Sequence, residues 1–280
     1  YRIDLEETAN LLDRFDPELI ILGKSMILHP EPVAAIRKML DAKSSRPVLM
    51  YDIAHVLGLI GPHFQNPHAE GADIITGSTH KTFYGSQRGV IGVAYEEATP
   101  EFELWKAIQR RAFPGAVSNH HLGTLLGLLM AALEMNAFKE TYQPQVIANA
   151  KAFAKALADK GLEVQGDPEV GYTETHQVVV VVGYAQGCAV AQELEESNII
   201  LNFQAVPSDE SFTSSSGLRM GVAEMTRFGM KEDDFREFAP LFVEAVQGKN
   251  VGEEIARFRE RFQTMHYCFD TEFSEVRSQL

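Results

Sequence analysis

The sequence contains little cysteine, fewer basic than acidic residues, and no long unbroken apolar run. Its two cysteines, Cys188 and Cys268, lie far apart among 280 residues, which excludes the short spacings of metal and redox motifs. The net charge of −14 argues against a nucleic-acid partner, because neutralising phosphates requires clustered Lys and Arg. No apolar run approaches the ~20 residues that span a bilayer. These absences predict a soluble, cytoplasmic protein without a nucleic-acid or membrane partner.

Short apolar runs and helix-forming segments alternate in the first hundred residues. Four runs predict strands, at residues 19–23, 47–52, 72–76 and 89–95. Residues 4–16 and 31–43 are predicted as helices. The first apolar run is expected to be a strand buried on both faces. The alternation predicts an α/β fold, with a mostly parallel sheet and helices on both of its faces.

The second half of the chain begins with long helical segments. Residues 119–138 and 143–160 are predicted as two helices, and the strongly apolar first one is expected to lie buried beneath the sheet. Further elements are predicted as strands at 176–182 and 198–201, and as helices at 187–197, 231–247 and 251–263. We place a domain boundary inside the helical connection at 140–150. The sequence therefore predicts part of a large domain at 1–145 and a smaller C-terminal α+β domain at 146–280.

Polar side chains follow three of the predicted strands. Ser25 follows the first, Asp52 and His55 follow the second, and His80 and Lys81 follow the third. Ligands in open α/β sheets bind outside the carboxyl ends of the strands. Each residue alone also has an ordinary explanation: a structural histidine, an aspartate that caps a helix, or a lysine in a solvent-facing loop.

The group of residues is more informative than its members. In the stretch TGSTHKTFYG, Lys81 lies among small polar residues, and residues 74–95 contain no carboxylate. Such a lysine can act as an imine-forming amine. Asp52 can pair with a pyridinium nitrogen, and Ser78 and Thr79 offer hydroxyl donors for a phosphate or a ring oxygen. Together these residues indicate a pyridoxal-phosphate site with Lys81 as the Schiff-base lysine and no metal.

Several segments carry a more specific resemblance. DIAHVLGL and TGSTHKT resemble the D-x-A-H-x-x-G-L and T-T-T-T-H-K-T segments of the serine hydroxymethyltransferase family. Four more segments match the family in the same order: AFPG at 112–115, YQPQV at 142–146, NIILN at 198–202 and SGLRMG at 216–221. The resemblance extends to about residue 247. It makes residues 1–145 part of the large domain that binds pyridoxal phosphate.

The resemblance implies pyridoxal 5′-phosphate as the cofactor and assigns residue roles. Lys81 would carry the cofactor, Asp52 would pair with its ring nitrogen, and His55 would lie near its phenolic oxygen, with His80 beside the lysine. The catalytic residues would be Lys81, His80, Asp52 and His55, and Ser25 and Ser78 would add polar cofactor contacts. Arg219 matches the arginine that binds the α-carboxylate of the substrate, since a guanidinium binds carboxylate bidentately.

The sequence departs from the family pattern in three places. The resemblance implies that the family's N-terminal third lies outside this sequence, with a glutamate, tyrosines and a histidine of the site. The glycine pair after FPG is replaced by AVSNHH at 116–121. Near the place where folate would bind, Phe203 and Gln204 replace a lysine–asparagine pair, and Glu224 adds a carboxylate. These changes resemble the branch of the family that performs threonine transaldol reactions.

Three functional predictions follow from this resemblance. The first is retro-aldol and aldol transfer on β-hydroxy-α-amino acids by an L-threonine transaldolase, with an aldehyde as acceptor. The second is serine hydroxymethyltransferase activity, with folate as acceptor. The third is a truncated, inactive paralogue that acts as a dimer partner. The expected partners are threonine or serine, an aldehyde or folate, and a second copy of the chain in a homodimer or tetramer.

Overall fold

The structure is a computed structural model that describes residues 1–269 and contains two four-stranded sheets. The strands are β1 (Leu19–Leu22), β2 (Val48–Asp52), β3 (Ile74–Ser78), β4 (Gly89–Val93), β5 (Glu163–Val164), β6 (Gln177–Val181), β7 (Asn202–Gln204) and β8 (Gly217–Gly221). The helices are α1 (Leu5–Arg14), α2 (Val33–Asp41), α3 (Phe102–Arg110), α4 (Leu122–Asp159), α5 (Gly187–Glu196), α6 (Ala223–Arg227), α7 (Glu232–Val246) and α8 (Gly252–Arg259). Short 3-10 turns lie at Leu57–Leu59 and Pro168–Val170.

The first sheet has the strand order β1-β2-β3-β4. Its first three strands are parallel, and β4 runs antiparallel to β3. The carboxyl ends of the parallel strands therefore meet at one edge of the sheet. Asp52 at the end of β2 is the register partner of Thr76 in β3, and Ser78 ends β3. This mixed sheet, flanked by helices, confirms the predicted α/β class.

The second sheet is antiparallel, with the order β5-β6-β8-β7. Its strand β6 reads QVVVV and is buried through Val180, as β-branched residues on a covered pleated surface favour. Beside it, α4 and α7 pack through aromatic rings. The Phe153 ring lies 5.5 to 5.9 Å from the rings of Phe235, Phe238 and Phe242. This core supports β8, the strand that carries Arg219.

One uninterrupted helix of 38 residues, α4, replaces the two helices predicted from the sequence. Pro144 lies inside it and removes one backbone hydrogen bond. Its neighbours Tyr142 and Val146 are fully buried, so packing on both sides of the proline holds the helix together. Tertiary packing has therefore outweighed the proline as a break signal.

The predicted burial of the first half of α4 beneath the sheet is wrong. Leu122 and Leu126 are 67% and 68% exposed, and residues 121–130 contain no buried side chain. Apolar composition indicates that a helix face is buried in the functional protein, but it does not say whether the same chain or another one buries it. By length and composition alone α4 could also cross a membrane, since it contains an 18-residue window of mean hydropathy 1.2, of which 11% is buried.

Two strand predictions also need correction. β1 is not buried on both faces: Leu19 and Ile21 are 46% and 59% exposed, because β1 is the edge strand and residues 1–269 leave one of its faces open. Residues 198–201 do not form a strand. Asn198 has the left-handed φ of 61° and turns the chain after α5, so the strand begins only at Asn202.

The division into domains at 1–145 and 146–280 stays a prediction. α4 runs through the predicted boundary and contacts both β6 of the second sheet and the turn at Leu57–Leu59 that follows β2. Residues 270–280 of the predicted C-terminal domain lie outside the described residues.

Candidate active site

Lys81 lies in the loop that follows β3, at the carboxyl edge of the first sheet. Its Nζ donates a hydrogen bond to Ser78 Oγ at 3.0 Å. Within residues 1–269, five other lysines form ion pairs, whereas no carboxylate pairs with Lys81. An amine held only by a hydroxyl is available to react with a carbonyl group.

Two buried threonines of the TGSTHKT segment hold the lysine loop in place. Thr79 Oγ1 donates to the Ser86 carbonyl at 2.6 Å. Thr82 Oγ1 donates to the His55 carbonyl at 3.1 Å and accepts from the Gly58 amide at 3.0 Å. Thr79 therefore closes the lysine loop on itself, and Thr82 joins the loop to the segment that carries His55.

The two segments approach most closely at Gly58. A Cβ atom there would lie 2.1 Å from the Thr82 carbonyl oxygen, a separation that only glycine permits. α4 supports both sides of this contact. Tyr142 donates from its hydroxyl to the Thr82 carbonyl at 3.2 Å, and Gln143 Nε2 donates to the Gly58 carbonyl at 3.0 Å. The YQPQV segment thus fixes the lysine loop against the histidine segment.

Asp52, the last residue of β2, is exposed at the same edge of the sheet. Its Oδ1 accepts a hydrogen bond from the Ala54 amide at 2.9 Å, a capping contact that fixes the carboxylate. Among the described residues no cation forms an ion pair with Asp52. Gly23, with φ of 120°, packs directly on it, since a Cβ there would lie 2.4 Å from the Asp52 carbonyl oxygen. The carboxylate of Asp52 can therefore accept a hydrogen bond from a protonated nitrogen of a ligand.

Arg219 lies in β8 and points toward the loop that carries Ser25. Its Nη1 donates to the Ser25 carbonyl at 3.2 Å and to Gln204 Oε1 at 2.8 Å, and Gln204 Nε2 donates to Ser25 Oγ at 3.1 Å. Burial lowers the pKa of Arg219. In the part of the chain that the structure describes, no carboxylate pairs with this guanidinium. Neutral acceptors orient Arg219 while leaving its charge for a ligand.

Two histidines lie close to Arg219. Burial, followed by the charges of Arg219 and Lys81, lowers the pKa of His55 to about 4. Burial lowers the pKa of His176 to about 3, with smaller contributions from His55 and Arg219. Both imidazoles are therefore neutral at pH 7. Gln177 Nε2 lies 3.3 Å from His55 Nδ1.

A cavity of about 1360 Å³ connects these groups. Its lining includes four of the residues predicted for the site, namely His55, His80, Lys81 and Arg219. The other three, Ser25, Asp52 and Ser78, are not among the lining residues, but Ser25 and Ser78 bond to Arg219 and Lys81 respectively. The structure thus brings together residues that lie up to 194 positions apart in the chain.

Sequence reasoning missed Gln177 and His176, which also line the cavity. Gln177 is buried and bonds to the Ser25 loop and to His55. The sequence feature that could have indicated it is the single amide side chain at the start of the apolar strand QVVVV. Phe203 and Gln204 of β7 face different elements. The Cβ of Phe203 would lie 3.3 Å from a Cβ at Gly187 of α5, on the other face of β7. Gln204 is the residue of that pair that reaches Arg219.

The family model described as serine hydroxymethyltransferase matches residues 1–242. This chain belongs to that family. Serine hydroxymethyltransferase of Archaeoglobus fulgidus is 46% identical over 276 residues, covering 96% of this chain and 61% of the relative. The enzyme of Thermococcus gammatolerans is 44% identical over 280 residues, covering 96% of this chain and 64% of the relative. The chain thus spans less than two thirds of the length of these curated relatives.

A solved structure of L-threonine transaldolase from Pseudomonas fluorescens is also similar. It superposes with a TM-score of 0.88 at 32% identity, over 99% of this chain and 64% of the other. Sequence relatives and the structural neighbour therefore carry two different activity names within one fold.

Membership of the family implies pyridoxal phosphate as the cofactor, and the described residues fit it. The amine of Lys81 suits the cofactor's aldehyde, and the carboxylate of Asp52 suits its ring nitrogen. Neither group has an oppositely charged partner within residues 1–269. His55 is neutral and lines the same cavity as Lys81 and Arg219, so it can donate to a ring oxygen. The individual residue roles remain predictions.

Proposed function

We propose that this protein breaks and forms the Cα–Cβ bond of β-hydroxy-α-amino acids as an L-threonine transaldolase, with an aldehyde as acceptor. The strongest support is that Lys81 and Arg219 line the same cavity and that neither has a carboxylate partner among the described residues. A site with one reactive amine and one guanidinium suits a substrate that carries an amino group and a carboxylate.

The roles of the chain's residues follow from their chemistry. Arg219 binds the α-carboxylate through parallel N–H···O bonds and so sets the orientation of the Cα–Cβ bond. Bound pyridoxal phosphate supplies an electron sink for the pair that the broken bond releases. Asp52 holds a proton at the ring nitrogen, and His80, which lines the cavity beside Lys81, exchanges a proton with the substrate hydroxyl.

Glu224 favours an aldehyde over folate as acceptor. It is exposed and lines the same cavity as Lys81. A nearby positive charge is already engaged, since Arg227 pairs with Glu134 at 3.2 Å and stacks on the Tyr84 ring at 3.9 Å. Glu224 forms no ion pair within residues 1–269, and such a carboxylate at the cavity repels the acidic tail of a folate but not a neutral aldehyde.

Hydroxymethyl transfer between serine and a reduced folate is the second candidate. The observation that favours it is sequence identity: the Archaeoglobus and Thermococcus enzymes named serine hydroxymethyltransferase are 46% and 44% identical to this chain, against 32% for the transaldolase. The two candidates share the bond-breaking step and differ in what accepts the fragment.

A homodimer forms part of this proposal. The first turns of α4 expose Leu122, Leu125, Leu126 and Leu129. An apolar surface of this kind is typical of a subunit interface rather than of a monomer's surface. A second copy of the chain is the partner that we propose for it.

The decisive experiment uses the full-length natural protein loaded with pyridoxal phosphate. One reaction contains threonine and an aromatic aldehyde, and the other contains serine and tetrahydrofolate. Acetaldehyde release with a new β-hydroxy amino acid supports the transaldolase. Folate-dependent glycine formation without aldehyde exchange supports the hydroxymethyltransferase and overturns the first proposal. No turnover in either reaction, together with no visible cofactor band that borohydride abolishes, points to the inactive dimer partner.

A matched variant tests the role given to the carboxylate. Glu224→Gln removes the charge and keeps the shape of the side chain. If Glu224 repels folate, this variant binds tetrahydrofolate roughly tenfold more tightly, while its affinity for an aromatic aldehyde stays unchanged. Equal folate affinity in the variant and the parent removes Glu224 from the argument.

A further inference from the structure

Gln177 is a buried amide at the start of β6 and forms part of the cavity wall. Its Oε1 accepts a hydrogen bond from the Ile27 amide at 2.8 Å, and its Nε2 donates to the Ser25 carbonyl at 2.9 Å. A backbone amide can only donate and a carbonyl can only accept. These two contacts therefore fix which end of the side-chain amide is oxygen and which is nitrogen.

The second hydrogen on Nε2 lies toward His55. The distance from Gln177 Nε2 to His55 Nδ1 is 3.3 Å, and Gln177 can only donate there. The imidazole must accept this hydrogen at Nδ1, so its own proton is carried by Nε2, at the opposite edge of the ring. A histidine without a fixed partner would exchange between the two tautomers.

We propose that Gln177 is a positioning residue that holds His55 as the Nε2–H tautomer, so that His55 acts as a hydrogen-bond donor toward the bound cofactor. The tautomer is a property of this chain alone, whereas the contact with the cofactor rests on the proposed function. The proposal rests on the three contacts of the Gln177 side-chain amide, which all agree with one assignment of its oxygen and nitrogen.

The charges around His55 act in the same direction as Gln177. Lys81 follows β3 and Arg219 lies in β8, and both disfavour a second proton on the ring. His176, which precedes β6, is neutral, and Asp52 on the histidine's own segment is the group that favours protonation. His55 thus stays a neutral donor, which can bond to an anionic ring oxygen without neutralising it.

The test measures the tautomer directly by ¹⁵N NMR of the histidine rings in the full-length protein loaded with pyridoxal phosphate. The chain has nine histidines, and the His55 signals are those lost in His55→Asn. We expect a protonated Nε2 and an unprotonated Nδ1 at pH 7. A protonated Nδ1 in the parent protein would overturn the proposal without any Gln177 variant.

Two substitutions then test whether Gln177 is the cause. In Gln177→Glu a carboxylate faces Nδ1 and accepts from it, so we expect Nδ1 to become protonated and the proton affinity of His55 to rise at least about tenfold. In Gln177→Leu no donor remains, so we expect a mixture of tautomers. Gln65→Leu, which removes another buried glutamine, is the matched control. An unchanged His55 pattern in both Gln177 variants would refute the proposal.

The visible absorbance of the bound cofactor gives an independent measurement. We expect its pH titration to shift by at least about one pH unit in Gln177→Glu and to stay unchanged in Gln65→Leu. If the tautomer pattern is as expected but threonine turnover is absent, the proposed function fails and this inference stands. An unshifted absorbance titration counts against His55 as the donor to the cofactor.

Discussion

Lys81 and Arg219 are cations that the described chain does not neutralise. Most partly buried cations pair with carboxylates, as Arg227 does with Glu134. Arg219 is instead held by the Ser25 carbonyl and Gln204 Oε1. An arrangement with neutral acceptors keeps the direction of the side chain fixed and leaves its charge to be satisfied by a bound anion.

Replacing Lys81 by alanine should abolish both the visible cofactor band and all cleavage of β-hydroxy amino acids. Ser78 Oγ is the hydrogen-bond partner that Lys81 has among residues 1–269, so the fold should not depend on this side chain. Absorbance and circular dichroism of the reconstituted variant check both points. Lys106→Ala, on the exposed side of α3, is the control and should keep the band. Retention of the band in Lys81→Ala would exclude this lysine from the chemistry.

The Arg219→Lys substitution should weaken amino-acid binding by about 2 kcal/mol, or roughly thirtyfold, while cofactor binding stays within about twofold. An ammonium cannot form the two parallel hydrogen bonds of a guanidinium. Titration of the cofactor's spectrum with threonine measures the first effect. Arg236→Lys, an exposed position of α7, controls for general effects. Equal threonine affinity in Arg219→Lys and the parent would contradict the carboxylate role.

At the scale of elements, the site depends on contacts between loops that leave no room for a side chain. Thr82 and Gly58 join the lysine loop to the histidine segment, and α4 holds both through Tyr142 and Gln143. The positions of Lys81 and His55 are therefore set by the same few backbone contacts.

Gly58→Ala should lower the free energy of unfolding by about 3 kcal/mol, because its new methyl group would lie 2.1 Å from a backbone oxygen that cannot move freely. Gly123→Ala is the matched control. No atom lies within 4 Å of a Cβ at that helical position, so stability should rise by about 1 kcal/mol. Urea unfolding of both variants measures the difference. A Gly58→Ala protein as stable as the parent would show that this contact is loose in solution.

At the scale of the whole molecule, the exposed leucines of α4 require a cover. Leu126, at 68% exposure, is the most exposed of them. We expect the full-length protein to sediment as a dimer or larger assembly at micromolar concentration and Leu126→Lys to shift it toward monomer, since a buried lysine charge opposes association. Asn136→Lys adds the same charge at another exposed position of α4 and should leave the assembly intact. A parent protein that sediments only as a monomer would remove the dimer from the proposal.

The sequence by itself determined the fold class and predicted four residues that line the cavity, His55, His80, Lys81 and Arg219. Strand ends are marked locally, by apolar runs that stop at polar residues, and the topology of a parallel sheet brings those ends together. For this reason the amino-acid sequence alone is enough to group Ser25, Asp52, Lys81 and their neighbours. The segments that resemble the serine hydroxymethyltransferase family could also be recognised without a structure, because each is a short local pattern.

Only the tertiary structure decided what each surface faces and which groups hold the site together. Apolar periodicity could not say that the first half of α4 and one face of β1 would be open, because exposure depends on what packs there. Successive side chains of a strand point to opposite faces, so Phe203 of β7 faces α5 and Gln204 faces Arg219. Composition alone does not show which of the two residues faces the site. Gln177 contacts His55 across 122 positions, and such a contact exists only once both sheets are folded.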